Sequence, residues 1–263
     1  MAEDPIRHWH TMTTREAGEL ADRDPVVILP VAAIEQHGPH LPLSTDLDIG
    51  EGILAAAFRR LSPEFPAWAL PPQSVGSSSE HLRFPGTLSL APEQLGEIVF
   101  QLGEAVAATG VRRLVLHNSH GGNRPTLESA ALRLRRECGL LVVKATYTRF
   151  RRPPGVDFPE EEWRHGFHGG AVETSMMLHL HPHRVRRESL GPFPSLGGEM
   201  TGRVGPEGEA PFAWLAGDLN PHGVVGDARL ADPATGARLV EHYGVILAEV
   251  VEEARRFPLE RLR

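Results

Sequence analysis

Residues 26–48, VVILPVAAIEQHGPHLPLSTDLD, decide the fold of this chain. The stretch begins with an uninterrupted apolar run over residues 26–33, which is typical of a strand buried on both faces of a parallel sheet. Near its end, at Thr45 and Asp46, a helical pattern begins that continues to residue 61. A strand followed by a helix is the repeating unit of α/β folds, so the stretch predicts that fold class.

The same alternation of strand and helix patterns continues along the chain. Strands are predicted over residues 113–117 and 140–147, with a weaker one at 68–70, and helices over residues 92–109, 125–138, 172–180 and 233–256. We predict a single α/β domain over residues 1–263, with three layers in which a mostly parallel central sheet is flanked by helices. Residues 151–167 and 191–232 show neither pattern and are predicted to be long loops.

Composition argues against several classes of protein. The 263 residues carry a formal net charge of -7, so the chain lacks the positive charge that binding to nucleic-acid phosphates requires. It has no apolar run of about 18 residues that could span a membrane, and no basic and apolar segments typical of a signal peptide. A single cysteine, Cys138, excludes an intrachain disulfide and a cysteine-rich zinc site. We therefore expect a cytoplasmic protein with neither nucleic-acid nor membrane partners.

Polar side chains are concentrated where predicted elements leave the sheet. Glu35 and His37 follow the first strand, His120 follows a later strand, and Glu173 lies in the first turn of a helix. In parallel α/β sheets, ligands bind beyond the carboxyl ends of the strands. Because Glu35 and His37 are two residues apart in an extended segment, their side chains point the same way. Histidine and carboxylate ligands without thiolates suit zinc, manganese or iron, and several carboxylates leave room for two ions, with Asp46 as the candidate bridge.

Each cluster by itself also has a structural interpretation. Asp46 could cap a helix, and Asn118 and Asn123 could be turn residues that bond to their own backbone. Residues 74–81, SVGSSSEH, could supply hydroxyl groups to a ligand or could be a flexible loop. The occurrence of three polar clusters at successive strand ends favours a functional site over independent turns.

Four motifs along the chain are similar to those of one known family. They are EQHGPHLP at residues 35–42, TD at 45–46, NSHGGN at 118–123, and a histidine followed by ETS within 168–175. In this order they resemble the creatininase (creatinine amidohydrolase) family. SSEHLRFPGT at 78–87 and GVVGD at 223–227 extend the resemblance, which covers most of residues 26–237.

The resemblance implies an α/β fold with a mostly parallel sheet and a site that holds two divalent metal ions. The family's metal ligands are matched by four residues, with Asp46 in the bridging position: Glu35, His37, Asp46 and His120. His168 matches the histidine that assists proton transfer beside the metals. Ser78 matches a serine that contacts the substrate, and we add Glu80 and Asn123 as further candidate substrate contacts.

The family hydrolyses non-peptide or unusual C–N bonds, and its members commonly form homohexamers. The resemblance thus implies cleavage of a small cyclic amide or a formamide by a hydroxide that bridges the two ions, in a homo-oligomer expected to be a hexamer. Two alternatives stay open. The chain could be a peptidase that processes a short modified peptide in a groove formed by loops 151–167 and 191–232. It could also be a metal-binding oligomer without catalysis, although holding metal alone does not require His168.

One position departs from creatininase itself. Creatininase has a carboxylate ligand two residues after the histidine that His120 matches, whereas this chain has Gly122. The Gly-Gly-Asn form resembles other branches, which include a formamide hydrolase of flavin and deazaflavin biosynthesis and the peptidase that matures the mycofactocin precursor. In such branches Glu173 is the natural carboxylate to complete the second metal site. The departure argues against creatinine itself as the substrate.

Overall fold

A four-stranded parallel sheet forms the centre of the computed structural model, which describes residues 4–262. Its spatial order is β2-β1-β3-β4, and each neighbouring pair runs parallel. The strands are β1 (Val26–Val31), β2 (Ala67–Ala69), β3 (Arg113–Asn118) and β4 (Leu141–Thr146). The sheet therefore contains the strands predicted from the apolar runs, including the weak one.

Eight α-helices occur among the described residues 4–262, and five of them are the long helices that the periodicity predicted. They are α1 (Thr14–Gly18), α2 (Thr45–Arg60), α3 (Pro92–Ala108), α4 (Arg124–Cys138), α5 (Glu160–His165), α6 (Ala171–Leu180), α7 (Ala216–Leu219) and α8 (Pro233–Arg256). Helices α1, α5 and α7 were not predicted, because elements of one turn or little more show no measurable periodicity. None of the helices in residues 4–262 is long and apolar enough to cross a membrane.

The two predicted loops contain more structure than expected. Besides α5 and α7, they hold short strand pairs, β5 (Pro192–Phe193) with β8 (Gly226–Asp227) and β6 (Val204–Gly205) with β7 (Ala210–Pro211). The buried carboxylate of Glu162 ties these pieces to the core, because it accepts hydrogen bonds from the backbone N–H groups of Ala171 and Asp227 at 2.6 and 2.7 Å. Such long-range bonds stabilise short elements that their own sequence does not specify.

The three-layer arrangement follows from the alternation of side chains along each strand. Val26 and Ile28 of β1 pack in one core with residues of α2, α6 and α8. Val27 and Leu29 point the other way and pack with residues of α3 and α4. Both faces of the sheet are covered, which is why the β1 sequence is apolar throughout. The predicted three-layer α/β fold is confirmed.

Close packing of α6 against α8 positions the start of α6 beside the sheet. A Cβ atom at Gly236 would overlap the backbone carbonyl of Ser175, so only glycine permits this approach. Asp232 caps α8 by accepting a hydrogen bond from the Thr235 N–H at 2.7 Å, and its own N–H donates to Ser175 Oγ at 3.1 Å. The start of α6 and the carboxyl ends of β1 and β3 consequently face the same space.

Candidate metal centre

Loops and helix starts at the carboxyl edge of the sheet bring five predicted ligands together. Glu35 and His37 come from the loop after β1, Asp46 from the first turn of α2, His120 from the loop after β3, and Glu173 from the first turn of α6. All five are buried, and the most exposed of them retains only 5% of its accessible surface. Charged side chains are rarely buried to this extent unless they are paired or bind a metal.

Two groups of three among these side chains share one carboxylate, and a third group that could hold a metal ion consists of Glu35, His37 and His168. Glu35, Asp46 and His120 form one group, and His37, Asp46 and Glu173 form the other, with the candidate ligand atoms of each group within 4.8 Å of one another. Asp46 Oδ2 lies 3.4 Å from His120 Nδ1, and Asp46 Oδ1 lies 3.6 Å from His37 Nε2. Asp46 therefore lies between the groups, which is the position expected of a bridging carboxylate.

Several polar atoms of the centre have no hydrogen-bond partner among the described residues. They are both carboxylate oxygens of Glu35, Nε2 of His37 and Oδ2 of Asp46. A buried polar atom left unpaired costs about 1–3 kcal/mol, and more when it is charged. His37 Nδ1 lies 3.1 Å from the Glu35 carbonyl, an arrangement that holds Nε2 toward the carboxylates, as in metal-binding histidines. These unpaired atoms are oxygen and nitrogen ligands that fit a divalent cation such as zinc or manganese.

Electrostatics within the centre favour charged groups despite burial. Burial by itself would lower the pKa of His37, but the carboxylates of Asp46, Glu173 and Glu35 outweigh it and raise the pKa to about 9. Burial likewise opposes ionisation of Asp46, yet His37 and His120 lower the pKa of its carboxyl well below the usual range. The cluster thus attracts positive charge to its interior, which is the property that a cation site requires.

Glu173 accepts two hydrogen bonds, and one of the accepting oxygens, Oε2, also lies 3.8 Å from His37 Nε2. The hydroxyl of Tyr147 donates to Glu173 Oε1 at 3.2 Å, and the N–H of Gly169 donates to Oε2 at 2.7 Å. Burial raises the pKa of the Glu173 carboxyl to about 7, with Asp46 adding to the effect. Tyr147 was not predicted as a site residue; it follows strand β4, and its position at a third strand end was the available signal.

His168 lies beside the centre as predicted, and a second histidine that was not predicted lies with it. His168 Nδ1 is 3.7 Å from Glu35 Oε1, and its ring packs against that of His37 with centroids 4.3 Å apart. His81 Nε2 is 3.4 Å from the same oxygen of Glu35, and its ring packs against His168 at 4.3 Å. The only sequence signal for His81 was its place in the SSEH stretch, which we interpreted through its serines and Glu80.

The three predicted substrate contacts have different surroundings. Ser78 Oγ and Glu80 Oε1 lie 3.4 and 3.7 Å from His120 Nε2, so both reach the edge of the centre. The side chain of Asn123 instead joins loops: it accepts from the Ser77 N–H at 2.9 Å and donates to the Ala32 carbonyl at 3.0 Å. None of the three residues lines the pocket of about 330 Å³ beside the centre, and the amide of Asn123 is engaged by these two loop segments.

Gly122 provides the space in which Glu80 approaches His120. A Cβ atom at Gly122 would overlap both Glu80 Oε1 and His120 Nε2, and would lie 2.9 Å from the Ser77 carbonyl. The neighbouring Gly121 is different, because a Cβ atom there has no neighbour within 4 Å. The space that a side chain at position 122 would fill is therefore occupied by the carboxylate of Glu80, which belongs to another loop.

A pocket of about 330 Å³ opens onto this centre, a size typical of sites for small molecules. Asp46, His120, His168 and Glu173 lie on its wall, together with the aromatic rings of Tyr147, Trp163, Phe167 and Tyr243 and the arginines 124, 149 and 164. The pocket thus combines candidate ligands of the centre with aromatic rings and with three exposed arginines.

Comparison with known proteins identifies the family. The family model described as "Creatininase: Creatinine amidohydrolase" matches residues 10–251. A relative named mycofactocin precursor peptide peptidase, from Mycobacterium ulcerans (strain Agy99), is 32% identical over 256 residues, covering 91% of this chain and 87% of the relative. Creatinine amidohydrolase from Pseudomonas putida is 33% identical over 183 residues, covering 63% of this chain and 68% of the relative. A solved structure titled "Creatininase Mn" superposes with a TM-score of 0.79 at 28% identity, covering 96% of this chain and 99% of the other. Because the family model spans nearly the whole chain, this protein belongs to the creatininase family.

Proposed function

We propose that this protein is a metal-dependent amidohydrolase that cleaves a C–N bond of a small cyclic amide or a formamide. The observation that carries the proposal is the sharing of Asp46 by two groups of buried ligands whose atoms lack protein partners. Family membership supports the same reaction class. A serine nucleophile is not needed in this chemistry, and Ser119 is the only serine or cysteine among the described residues that line the pocket.

Two divalent ions would be held by the two groups of side chains that share Asp46. Glu35, Asp46 and His120 would bind one ion, and His37, Asp46 and Glu173 the other, with zinc, manganese or iron as the suitable metals. Bound ions of this kind polarise a carbonyl oxygen and activate water near neutral pH. Tyr147 and the Gly169 N–H would keep Glu173 oriented for this purpose.

His168 is placed to move the proton that hydrolysis requires. Burial lowers the pKa of His168 well below its ordinary value, so the ring would be neutral at pH 7 and would begin as a base. It would accept a proton from the attacking water and return it to the leaving nitrogen. General acid–base assistance of this kind contributes about 10²–10⁴-fold to the rate.

A second candidate has the same chemistry on a larger substrate. The relative from Mycobacterium ulcerans is named as a peptidase of a precursor peptide and matches 91% of this chain. Arg124, Arg149 and Arg164 lie at the pocket, and guanidinium groups bind carboxylates well. A short peptide with a free carboxylate would therefore find cationic partners at this pocket, whereas an uncharged cyclic amide would not need these arginines.

The test begins with metal analysis of the purified wild type beside Asp46→Ala, with Glu207→Gln as the matched control, since Glu207 lines the same pocket without joining either group. We expect about two equivalents of zinc, manganese or iron in the wild type and the control, and loss of metal and activity in Asp46→Ala. Creatinine, formamides and short peptides with free or amidated C-termini then separate the two substrate classes. Metal-free wild type that gains no activity with added metal would contradict the proposal.

We further propose that the protein is a homo-oligomer, with a hexamer as the expected form by analogy with the family. Leu82, Leu88 and Leu132 expose more than half of their surface, and apolar residues of this kind are suited to subunit contacts. Sedimentation velocity on the metal-loaded protein would test the proposal, and a monomer would contradict it. The cytoplasmic location stays a prediction from the sequence.

A further inference from the structure

A second cavity adjoins the pocket of the metal centre, and two arginines line both spaces. The pocket of the metal centre has a volume of about 330 Å³ and the second cavity one of about 270 Å³, and the side chains of Arg124 and Arg149 belong to both walls. The second cavity is further lined by Leu127, Glu128, Lys144, Thr146 and Phe150. A molecule held at the metal centre can therefore extend past the two shared arginines into the second cavity.

Local structure brings the charged side chains of this cavity together. Arg124 and Glu128 are four residues apart in helix α4, so they lie on one face of it. Lys144 and Thr146 are two residues apart in strand β4, so their side chains point to the same side of the sheet. Arg149 follows shortly after the end of β4. The second cavity thus lies between the start of α4 and the end of β4, at the same edge of the sheet as the metal centre.

The two shared arginines have no protein partner for their charge. Among residues 4–262, neither Arg124 nor Arg149 forms a hydrogen bond or an ion pair. Glu128 is the only carboxylate among the described residues that line the second cavity, and Lys144 Nζ already lies 2.8 Å from its Oε2. Burial raises the pKa of Glu207, on the wall of the metal pocket, and the charge of Arg124 acts against this. Two guanidinium groups are therefore available to an anion from outside the chain, although the chain has a formal net charge of -7.

We propose that Arg124 and Arg149 form a subsite that binds an oxyanion of the substrate, either a carboxylate or a phosphate group. A guanidinium group donates two parallel hydrogen bonds to the oxygens of such a group. The inference rests on the proposed function in one respect, since the C–N bond to be cleaved would lie at the metal centre while the oxyanion lies at the two arginines. The substrate class is thus an amide, formamide or short peptide that carries an oxyanion. Creatinine has no such group.

Calorimetric titration with three small probes tests the subsite. N-benzoylglycine carries a carboxylate, phenyl phosphate carries a phosphate, and N-benzoylglycinamide has the body of the first probe without its charge. Each probe is titrated into metal-loaded and into chelator-treated wild type, since an anion also binds to metal ions. We expect at least one charged probe to bind about 10-fold more tightly than the amide in both forms, and more weakly as salt is added. The charged probe that binds more tightly identifies the oxyanion.

Variants of exposed residues locate the bound oxyanion. Arg124→Gln and Arg149→Gln should each weaken binding of that probe about 10-fold, the lower end of the range for a charge-assisted hydrogen bond because both arginines are exposed. Glu128→Gln should instead tighten binding, because it removes a competing carboxylate and frees the ammonium group of Lys144. Arg59→Gln is the matched control, since it removes an exposed guanidinium group from the last turn of α2, at the end of that helix away from the metal centre.

Binding to chelator-treated protein separates this inference from the proposed function. Charged probes that bind no more tightly than the amide, or only when metal is present, would overturn the subsite, and so would arginine variants that match Arg59→Gln. A working subsite in a metal-loaded protein that hydrolyses no amide would contradict only the proposed function. With an active anionic substrate, we expect Arg149→Gln to raise KM about 10-fold with kcat nearly constant, because the lost contact is the same in the ground state and the transition state.

Discussion

Replacing Gly122 by alanine tests whether the space beside His120 is reserved for the carboxylate of Glu80. The new Cβ atom would overlap Glu80 Oε1 and His120 Nε2, and would lie 2.9 Å from the Ser77 carbonyl. The carbonyl belongs to the backbone and the His120 ring is buried, so the contact cannot be relieved by a flexible side chain alone. We expect His120 to shift and both stability and metal affinity to fall.

The magnitude follows from a comparison with Gly121→Ala. Both changes remove one glycine from the unfolded chain, which stabilises a protein by about 0.4–1 kcal/mol where the backbone tolerates alanine. Neither glycine has a positive φ, and a Cβ atom at Gly121 meets nothing within 4 Å. The difference between the two variants is therefore the overpacking at Gly122, about 1–3 kcal/mol. For a chain of this size that corresponds to roughly 2–4 °C in Tm for each kcal/mol.

Thermal unfolding of metal-free protein gives the stability difference, and calorimetric titration with Zn²⁺ gives the affinity. We expect Gly122→Ala to bind Zn²⁺ about 10–100-fold more weakly than Gly121→Ala does. Metal affinity falls by this factor when residues that support a metal ligand are changed. Adding Glu80→Ala to Gly122→Ala should recover part of the stability, because one of the three contacts disappears. Equal Tm and equal affinity in the two glycine variants would show that this reasoning about the His120 side of the centre is wrong.

Three further predictions concern the metal, a buried carboxylate and a hydroxyl. Zn²⁺ at about 100 times its Kd should stabilise chelator-treated protein by about 2.7 kcal/mol for each site; an unchanged Tm would argue against a metal site. Glu162→Ala should lower the free energy of unfolding by about 1–3 kcal/mol, because two backbone N–H groups lose their acceptor. Glu161 is exposed, so Glu161→Ala should change the free energy of unfolding by less than about 0.5 kcal/mol. Tyr147→Phe should lower kcat about 10–100-fold, because Glu173 loses a hydrogen bond that orients it. Steady-state kinetics of Tyr147→Phe are compared with those of Tyr243→Phe, and an equal fall of kcat in both variants would show that the effect is purely structural.

The sequence was sufficient to predict the sheet and the position of the centre, for physical reasons. A strand covered on both faces must be apolar throughout, so residues 26–33 identified β1 directly. Polar residues at the carboxyl ends of parallel strands meet at one edge, so Glu35, Asp46 and His120 could be grouped before any coordinates were known. These are rules about backbone geometry, and they hold whatever the surrounding loops do.

Other residues beside the centre could not be identified from the sequence, because no such rule predicts where their loops lie or which way their side chains point. His81 lies in the long loop between β2 and α3, well beyond the end of the strand, and only the folded chain places it beside Glu35. Gln36 should point away from its neighbours Glu35 and His37 by the alternation of an extended segment. Its amide nitrogen nevertheless lies 2.7 Å from His81 Nδ1 and 3.1 Å from His168 Nε2, because both histidines come from other loops. The neighbours of the candidate ligands therefore need tertiary structure, whereas the candidate ligands themselves could be proposed from local pattern and the family resemblance.

The centre also links stability to function. Both oxygens of Glu35, together with Oδ2 of Asp46, are buried without a protein partner, and unpaired buried charges destabilise the metal-free fold. A cation would pair with these same atoms, so its binding free energy would also be folding free energy. The metal-bound state should consequently depend on Asp46 more strongly than the metal-free state does, although Asp46→Ala also takes from the metal-free protein the attraction between Asp46 and the imidazoles of His37 and His120. An Asp46→Ala variant whose Tm no longer rises with added Zn²⁺, beside a wild type whose Tm does rise, would be the signature of a site whose binding free energy contributes to folding.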